Sequence, residues 1–270
     1  NPQVYYYLGS IAMEDKKPVE AVEYFSKTVL LKPEFEQAYY DLANAQISAA
    51  KAGDALATLE QARKKIQDEY PVEVLIQSIN LSQPGNADEL AALFPETEIL
   101  INSAGAIGRG SLLSINPSDF RDGFEGKVMS TIMLSRALYP HMIARKSGVI
   151  INIIGIAGEK LNPNSIGTSI ANAALIAFTK AFGAESVDNG VRVLGINPGL
   201  IHTPRTENLL HPQNEVDRQA YAKVLSNLPY GRMGHPEEIA NLVVFFASDA
   251  MSKYISGDVI SIDAGTRFRA

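Results

Sequence analysis

The sequence predicts an α/β fold with a mostly parallel sheet, preceded by an α-helical repeat region, and three observations carry that expectation. Across residues 1–70 apolar and small residues recur at helical spacing, and Leu8 with Leu42, Ala21 with Ala55, and Phe25 with Leu59 each stand 34 apart. From residue 71 onward, short β-branched runs alternate with longer amphipathic stretches, the pattern of strands joined by helical crossovers. No Pro/Gly/Ser-rich linker separates the two patterns, so the expected domains are 1–70 and 71–270.

Composition bounds the function. The 270 residues are 46% hydrophobic and 20% charged, enough apolar material for a substantial core. A net charge of −6 argues against nucleic acid or an anionic membrane surface as the main partner, because both demand concentrated Lys and Arg. Zero cysteines exclude disulfides and thiolate chemistry and fit a reducing compartment. No apolar run reaches the roughly 20 residues of a membrane span. The opening Asn1, Pro2, Gln3 shows neither a basic region nor a signal-type apolar core, and it reads as a processed or excerpted end. The expectation is a soluble, cytoplasmic protein.

The helical elements come first. The segments YYYLGSIAMEDKKPVEAVEYFSKTVLLKP and AYYDLANAQISAAKAGDALATLEQARKKI each read as two helices, with turns near Lys17–Pro18 and Ala52–Gly53. Small residues such as Gly9, Ala21, Ala43 and Ala55 allow close helix approach, and aromatics such as Tyr7 and Phe25 fill the gaps. The run Tyr5–Tyr7 is read as inter-helix packing. These segments resemble a tetratricopeptide repeat pair. The resemblance implies a shallow surface for a peptide or protein partner, with one end of the pair needing cover.

The α/β elements follow in order. Val72–Leu81 (VEVLIQSINL) is expected as a strand, Asn86–Phe94 as a short helix, and Glu98–Asn102 as the next strand. The amphipathic stretch Pro117–Arg145 precedes a strand from Gly148 (GVIINII), and Ser165–Val187 precedes another from Val191 (VRVLGI). Pro236–Ala247 is a helix whose proline sits in the first turn, where its missing N–H costs little. Val259–Asp263 closes the series.

NSAG at 102–105, GVIINI from Gly148, NAALIAFTKA from Asn172, VRVLGINPGLIHTP at 191–204, GRMGHPEEIA from Gly231 and YISGDVISIDAG at 254–265 together resemble the short-chain dehydrogenase/reductase family. The resemblance covers about 190 residues and implies a Rossmann-like doubly wound sheet with NAD or NADP at the carboxyl ends of its strands. It also implies hydride transfer between nicotinamide and a carbonyl or alcohol. The chain joins that family at its third strand. Before Gly105 the only glycines are Gly9, Gly53 and Gly85, so the glycine-rich turn that cradles a diphosphate is missing and the sheet is expected to be incomplete. With the first strand gone, Val72–Leu81 is expected to move inward and pair with Glu98–Asn102. The glycines at 105, 108 and 110 have the wrong spacing for a phosphate loop and are read as loop geometry.

The family's tyrosine, lysine and serine fall on Thr168, Asn172 and Gly155, and its helix asparagine falls on Lys127. A threonine alcohol is a far weaker acid than a phenol, Asn172 carries no charge, and Gly155 has no hydroxyl. Losing a general acid removes about 10² to 10⁴ in rate, so ordinary family chemistry is expected to be nearly silent. Ser165, Ser169 and Lys127 form the alternative constellation. For the cofactor, the resemblance places Asn80 on the adenine side, Asn102, Ala104 and Gly105 at the ribose, and Asn197, Pro198, Gly199, Ile201 and Thr203 near the nicotinamide amide. Dinucleotide binding is expected to be weak or absent. The four histidines are isolated, which leaves no metal site by spacing, and the G-x-S-x-G elbow of a hydrolase is missing. Two classes stay open: a truncated or fused short-chain oxidoreductase, or a non-catalytic protein-binding scaffold, whether pseudoenzyme or artificial or mis-joined chimera. Homo-oligomers are possible, as the family often pairs through the helices that match Pro117–Arg145 and Ser165–Val187.

Overall fold

The structure is a computed structural model. It describes residues 1–270 apart from 16, 50, 51, 106, 109, 204, 205, 207–221, 223–225 and 270, and apart from the side chains of 14, 36 and 52. Most of the stretch 206–223 therefore lies outside the described residues. The chain divides into two compact units, Asn1–Ile79 and Asn80–Ala270.

The first unit is four helices: α1 (Pro2–Glu14), α2 (Pro18–Leu31), α3 (Glu36–Ser48) and α4 (Ala52–Glu69). Prolines occupy the first turns of α1 and α2, and Asn1 Oδ1 accepts from Gln3 N at 3.1 Å to cap α1. Of the three consecutive tyrosines, Tyr6 enters the core, its ring centroid 4.8 Å from Phe35 and 5.5 Å from Phe25. Its hydroxyl donates to the Asp41 carboxylate. Gly9 is where the helices close up, since a Cβ there would stand 2.6 Å from the Phe25 ring. Between α3 and α4 the buried Thr58 hydroxyl donates to Gln46 Oε1 at 2.9 Å.

Residues 72–80 correct the sequence expectation, because they form no strand. Val72 and Leu75 are exposed, and none of the backbone hydrogen bonds of the described residues involves residues 73–79. The segment has the β-forming side chains but lacks a ladder, and propensity without a neighbouring strand does not make a strand.

The second unit opens with α5 (Asn86–Leu93) and then alternates β1 (Ile99–Asn102), α6 (Pro117–Phe124), α7 (Ser130–Arg145), β2 (Gly148–Ile153), α8 (Ile166–Ser186), β3 (Val191–Pro198), α9 (Pro236–Ala247), α10 (Asp249–Ser252) and β4 (Val259–Ile262). The strands form one parallel sheet in the order β1-β2-β3-β4. The helical stretch expected from Pro117 to Arg145 is continuous but contains a π-helical turn over Glu125–Met129. There the freed carbonyls of Gly126 and Lys127 accept from the Ser130 and Thr131 hydroxyls at 2.7 and 2.8 Å.

One sheet face packs on α5 and α7 through Ala87, Leu100, Leu134, Leu138 and Ile150, and the other on α9 through Val149, Ile151, Leu194, Ile196 and Phe246. Within the first of these faces runs a buried polar chain. Asn102 Nδ2 donates to Ser135 Oγ at 3.2 Å and to Asn152 Oδ1 at 2.9 Å, and Asn152 Nδ2 donates to Thr179 Oγ1 at 2.9 Å. It ties β1 to β2 and each strand to a helix, α7 for the first and α8 for the second. No described helix is long and apolar enough to cross a membrane.

Arg192 fastens β3 to the α9–α10 corner. Its buried guanidinium donates to Phe246 O at 2.8 Å, to Ser252 O and Oγ at 3.2 and 3.1 Å, and to Asp249 Oδ1 at 2.8 Å. The Asp249 side chain is mostly exposed, so the value of this arginine rests on the two carbonyls it satisfies. Arg192→Ala should therefore cost about 3 kcal/mol in a urea melt, whereas Asp249→Asn should cost under about 1 kcal/mol. Equal losses would assign the corner to the ion pair instead.

Candidate functional site

Parallel strands present all their carboxyl ends on one side, and the residues singled out by sequence lie there or on the helices that follow. The loop after β1 bends back at Gly105, whose φ is +97°. A Cβ there would stand 2.5 Å from Gly126 O and 2.6 Å from Lys127 Cα, so only glycine lets this loop lie against the π-helical turn. The turn in turn aims Lys127, whose ammonium donates to Ile154 O at 2.9 Å at the end of β2.

The next carbonyl along is held from the other side. Asn172, buried on α8, donates from Nδ2 to Gly155 O at 3.1 Å. Gly155 has a φ of +120°, and a Cβ at that position would lie 2.9 Å from Asn172 Nδ2. Asn172 Oδ1 is buried and has no partner among the described residues. Thr168 stands one helical turn earlier and is half-buried. Lys127, Gly155, Thr168 and Asn172 are thus brought to the end of β2 and the start of α8. Ser165 is the residue before α8, where Gly110 N donates to Asn164 O at 3.0 Å and Ile166 N to Gly110 O at 3.2 Å. Ser169 is set apart from this group. Its buried Oγ accepts from Asn162 N at 3.2 Å and holds the 162–165 turn.

The cofactor candidates divide in the same way. Asn102 points its amide into the polar chain of the core. Ala104 and Gly105 are exposed in the loop. Asn80 folds its own turn, accepting from Ser82 N at 3.0 Å, while its carbonyl takes Asn86 Nδ2 at 2.9 Å. Pro198 is the last residue of β3, and Gly199, Ile201 and Thr203 follow it. Gly199 N donates to Ile262 O at 2.8 Å, and Gly199 has no room for a Cβ against Asp263. Ile201 bridges to Gly234, and Thr203 N donates to Thr206 Oγ1 at 2.9 Å. Among the described residues, no strand before β1 ends in a glycine turn that opens a helix.

Sequence reasoning missed a polar cluster at the ends of β3 and β4. Asn197 Nδ2 donates to Glu159 Oε1 at 2.9 Å, Glu159 pairs with Arg267 at 3.2 Å, and Arg267 reaches Asp263 at 3.4 Å. Lys160 Nζ donates to Thr266 O at 2.9 Å, so two consecutive residues after β2 fasten the C-terminal segment. Asn197 is fully buried and its Oδ1 has no partner among the described residues. Its position in the VRVLGINPG motif was the one available signal. The partners, over a hundred residues apart in some pairs, give none.

A family model described as Enoyl-(Acyl carrier protein) reductase matches residues 41–267. The chain belongs to this short-chain dehydrogenase/reductase family. The match enters inside α3, so α4 and the 72–79 segment fall within it. The 3-oxoacyl-[acyl-carrier-protein] reductase of Synechocystis sp. is 33% identical over 187 residues, 67% of this chain and 72% of that protein. FabG of Escherichia coli, of the same description, is 30% identical over 213 residues, 77% of this chain and 84% of that protein. Among solved structures, YwfH, described as an NADPH dependent reductase involved in bacilysin biosynthesis, superposes with a TM-score of 0.71 at 25% identity over 78% of this chain and 85% of that one. A short chain dehydrogenase/reductase family protein gives a TM-score of 0.67 at 29% identity, over 77% and 83% of the respective chains.

One ionisable group in this reductase-family unit is strongly displaced. The Arg232 guanidinium, 2.8 Å away, and the His235 N–H, 2.7 Å away, hold the Glu238 carboxyl at about 2, below its ordinary 4.5. Because the folded value is depressed, the contribution is complete above pH 4.5, shrinks below it, and is lost as the pH falls through about 2. A carboxyl NMR titration should place the Glu238 midpoint near 2, and Arg232→Gln should move it up toward 4.5. An unmoved midpoint would leave the backbone donor as its cause.

Proposed function

We propose that this chain carries a short-chain dehydrogenase/reductase domain that has lost hydride transfer and acts by binding, joined to a tetratricopeptide-like helical pair that supplies a peptide- or protein-binding surface. The observation that carries the reading is the grip of Asn172 on the Gly155 carbonyl. By resemblance these two positions belong to a lysine and a serine, and Thr168 to a tyrosine. A neutral amide and a missing hydroxyl cannot ease a proton onto a substrate oxygen, and an aliphatic alcohol does not release one near neutral pH. Removing a general acid alone costs about 3 to 5 kcal/mol of barrier. NAD or NADP is the cofactor the family implies, and the missing diphosphate cradle supports weak or no binding here. A sequence with zero cysteines and a net charge of −6 agrees with a soluble, cytoplasmic setting.

A second reading keeps reduction and gives Lys127 the donor's part, supported by its ammonium standing at the mouth of β2. Here a lysine replaces the family's helix asparagine while an asparagine replaces its lysine, so the charge has changed walls and remained beside the same strand end.

The relatives named as 3-oxoacyl-[acyl-carrier-protein] reductases set the assay. With NADPH and an acetoacetyl thioester, this chain is expected to show no turnover above the uncatalysed rate and no change in cofactor fluorescence at millimolar NADPH. Micromolar cofactor affinity with turnover would overturn the proposal. If that turnover then vanished in Lys127→Met, the second reading would take its place.

A further inference from the structure

We propose that copies of this chain stack end to end through their first units, the outer face of α1 in one copy receiving the outer face of α4 in the next. The proposal is independent of the functional readings above, because it rests on the 34-residue translation that carries α1 and α2 onto α3 and α4.

That translation finds the first face. Ala38, Leu42 and Ala45 of α3 are buried against the preceding helix pair, in one core cluster with Val22 and Phe25 of α2. Their counterparts in α1 are Val4, Leu8 and Ile11, which are 46%, 36% and 53% exposed and belong to no core cluster of the described residues. α1 therefore presents, with side chains as large or larger, the face by which α3 joins the pair before it.

The second face is the complement of the first. Val22 and Phe25 are what α2 offers to α3, and the same translation puts Leu56 and Leu59 of α4 in their places. Leu56 is 45% exposed where Val22 is buried, and Leu59 is half-buried where Phe25 is enclosed. Both open faces are aliphatic, so joining them repeats between two chains the α2–α3 contact that each chain already holds. α1 packs on α2 and α3, α2 on α3, and α3 on α4, which sets the two faces at opposite ends of one stack. Both belong to the first unit, and the order of its four helices keeps α4 from turning back onto its own α1. The α1 of another copy is free of that restriction. A contact of this kind is head to tail, so it leaves one face of each kind open and extends with concentration.

The test uses the full chain. Sedimentation velocity should show species above the monomer whose share rises with concentration. Ile11→Glu and Leu56→Glu, both at exposed positions, should each remove those species without lowering the melting temperature. Mixed in equal amounts, the two variants should form a dimer and nothing larger, because each keeps the face that the other has lost. The chain has no cysteine, so a second measurement is available if a glutamate variant melts early. Chains carrying Leu8→Cys and chains carrying Leu56→Cys should cross-link through a short bismaleimide when mixed and not when either is treated alone. A monomer at every concentration overturns the proposal. So does self-association that survives in either glutamate variant, a mixture of the two folded variants that stays monomeric, or a cysteine mixture that fails to link.

Discussion

The parallel sheet is the constraint on which everything else in the second unit rests. Because β1, β2, β3 and β4 run the same way, each is joined to the next by a crossover, and all four carboxyl ends meet on one side. That geometry alone gathers the loop at Gly105, the Ile154 and Gly155 carbonyls, and the Asn197–Gly199 turn, which are far apart in sequence. The buried chain through Ser135, Asn102, Asn152 and Thr179 fixes the register of the first two strands. A one-residue slip of either strand would turn its asparagine to the other face and strand its partners.

How the site is held follows from that register. Two consecutive carbonyls at the end of β2 are taken by side chains from opposite walls, Ile154 by Lys127 and Gly155 by Asn172. Both side chains are thereby committed to the backbone. An amide that spends a donor on a carbonyl has less to offer a substrate, and a buried Oδ1 with no partner among the described residues offers acceptance rather than acidity.

Much of the fold was legible in the sequence because its signals were local. Pro117 and Pro236 mark helix starts that the structure places at the same residues, and the β-branched runs from Gly148 and Val191 became the central strands. The loss at Val72–Leu81 is instructive for the same reason. Its side chains read as a strand, but a strand is a pairing, and the sequence carries no record of where the missing neighbour has gone. The candidate site was legible only as positions. Lys127, Gly155, Thr168 and Asn172 were found by motif, whereas the assignment of Asn102 to the core, of Ser169 to a turn, and of Glu159, Asn197 and Arg267 to one cluster depends on distances no spacing encodes.

The glycine at 155 is required by its own backbone. Its φ of +120° lies where side-chain-bearing residues rarely settle, and the space a Cβ would need is held by the Asn172 amide. A side chain could stand at 155 only if the backbone turned and Asn172 withdrew, and a change at 172 would leave the Gly155 carbonyl without its present donor. The two residues therefore support each other: the amide stabilises the glycine's conformation, and the glycine leaves room for the amide. Residues coupled in this way resist change one at a time, since each single substitution meets a cost before its partner has changed. On that ground Gly155 and Asn172 act as one unit at the end of β2.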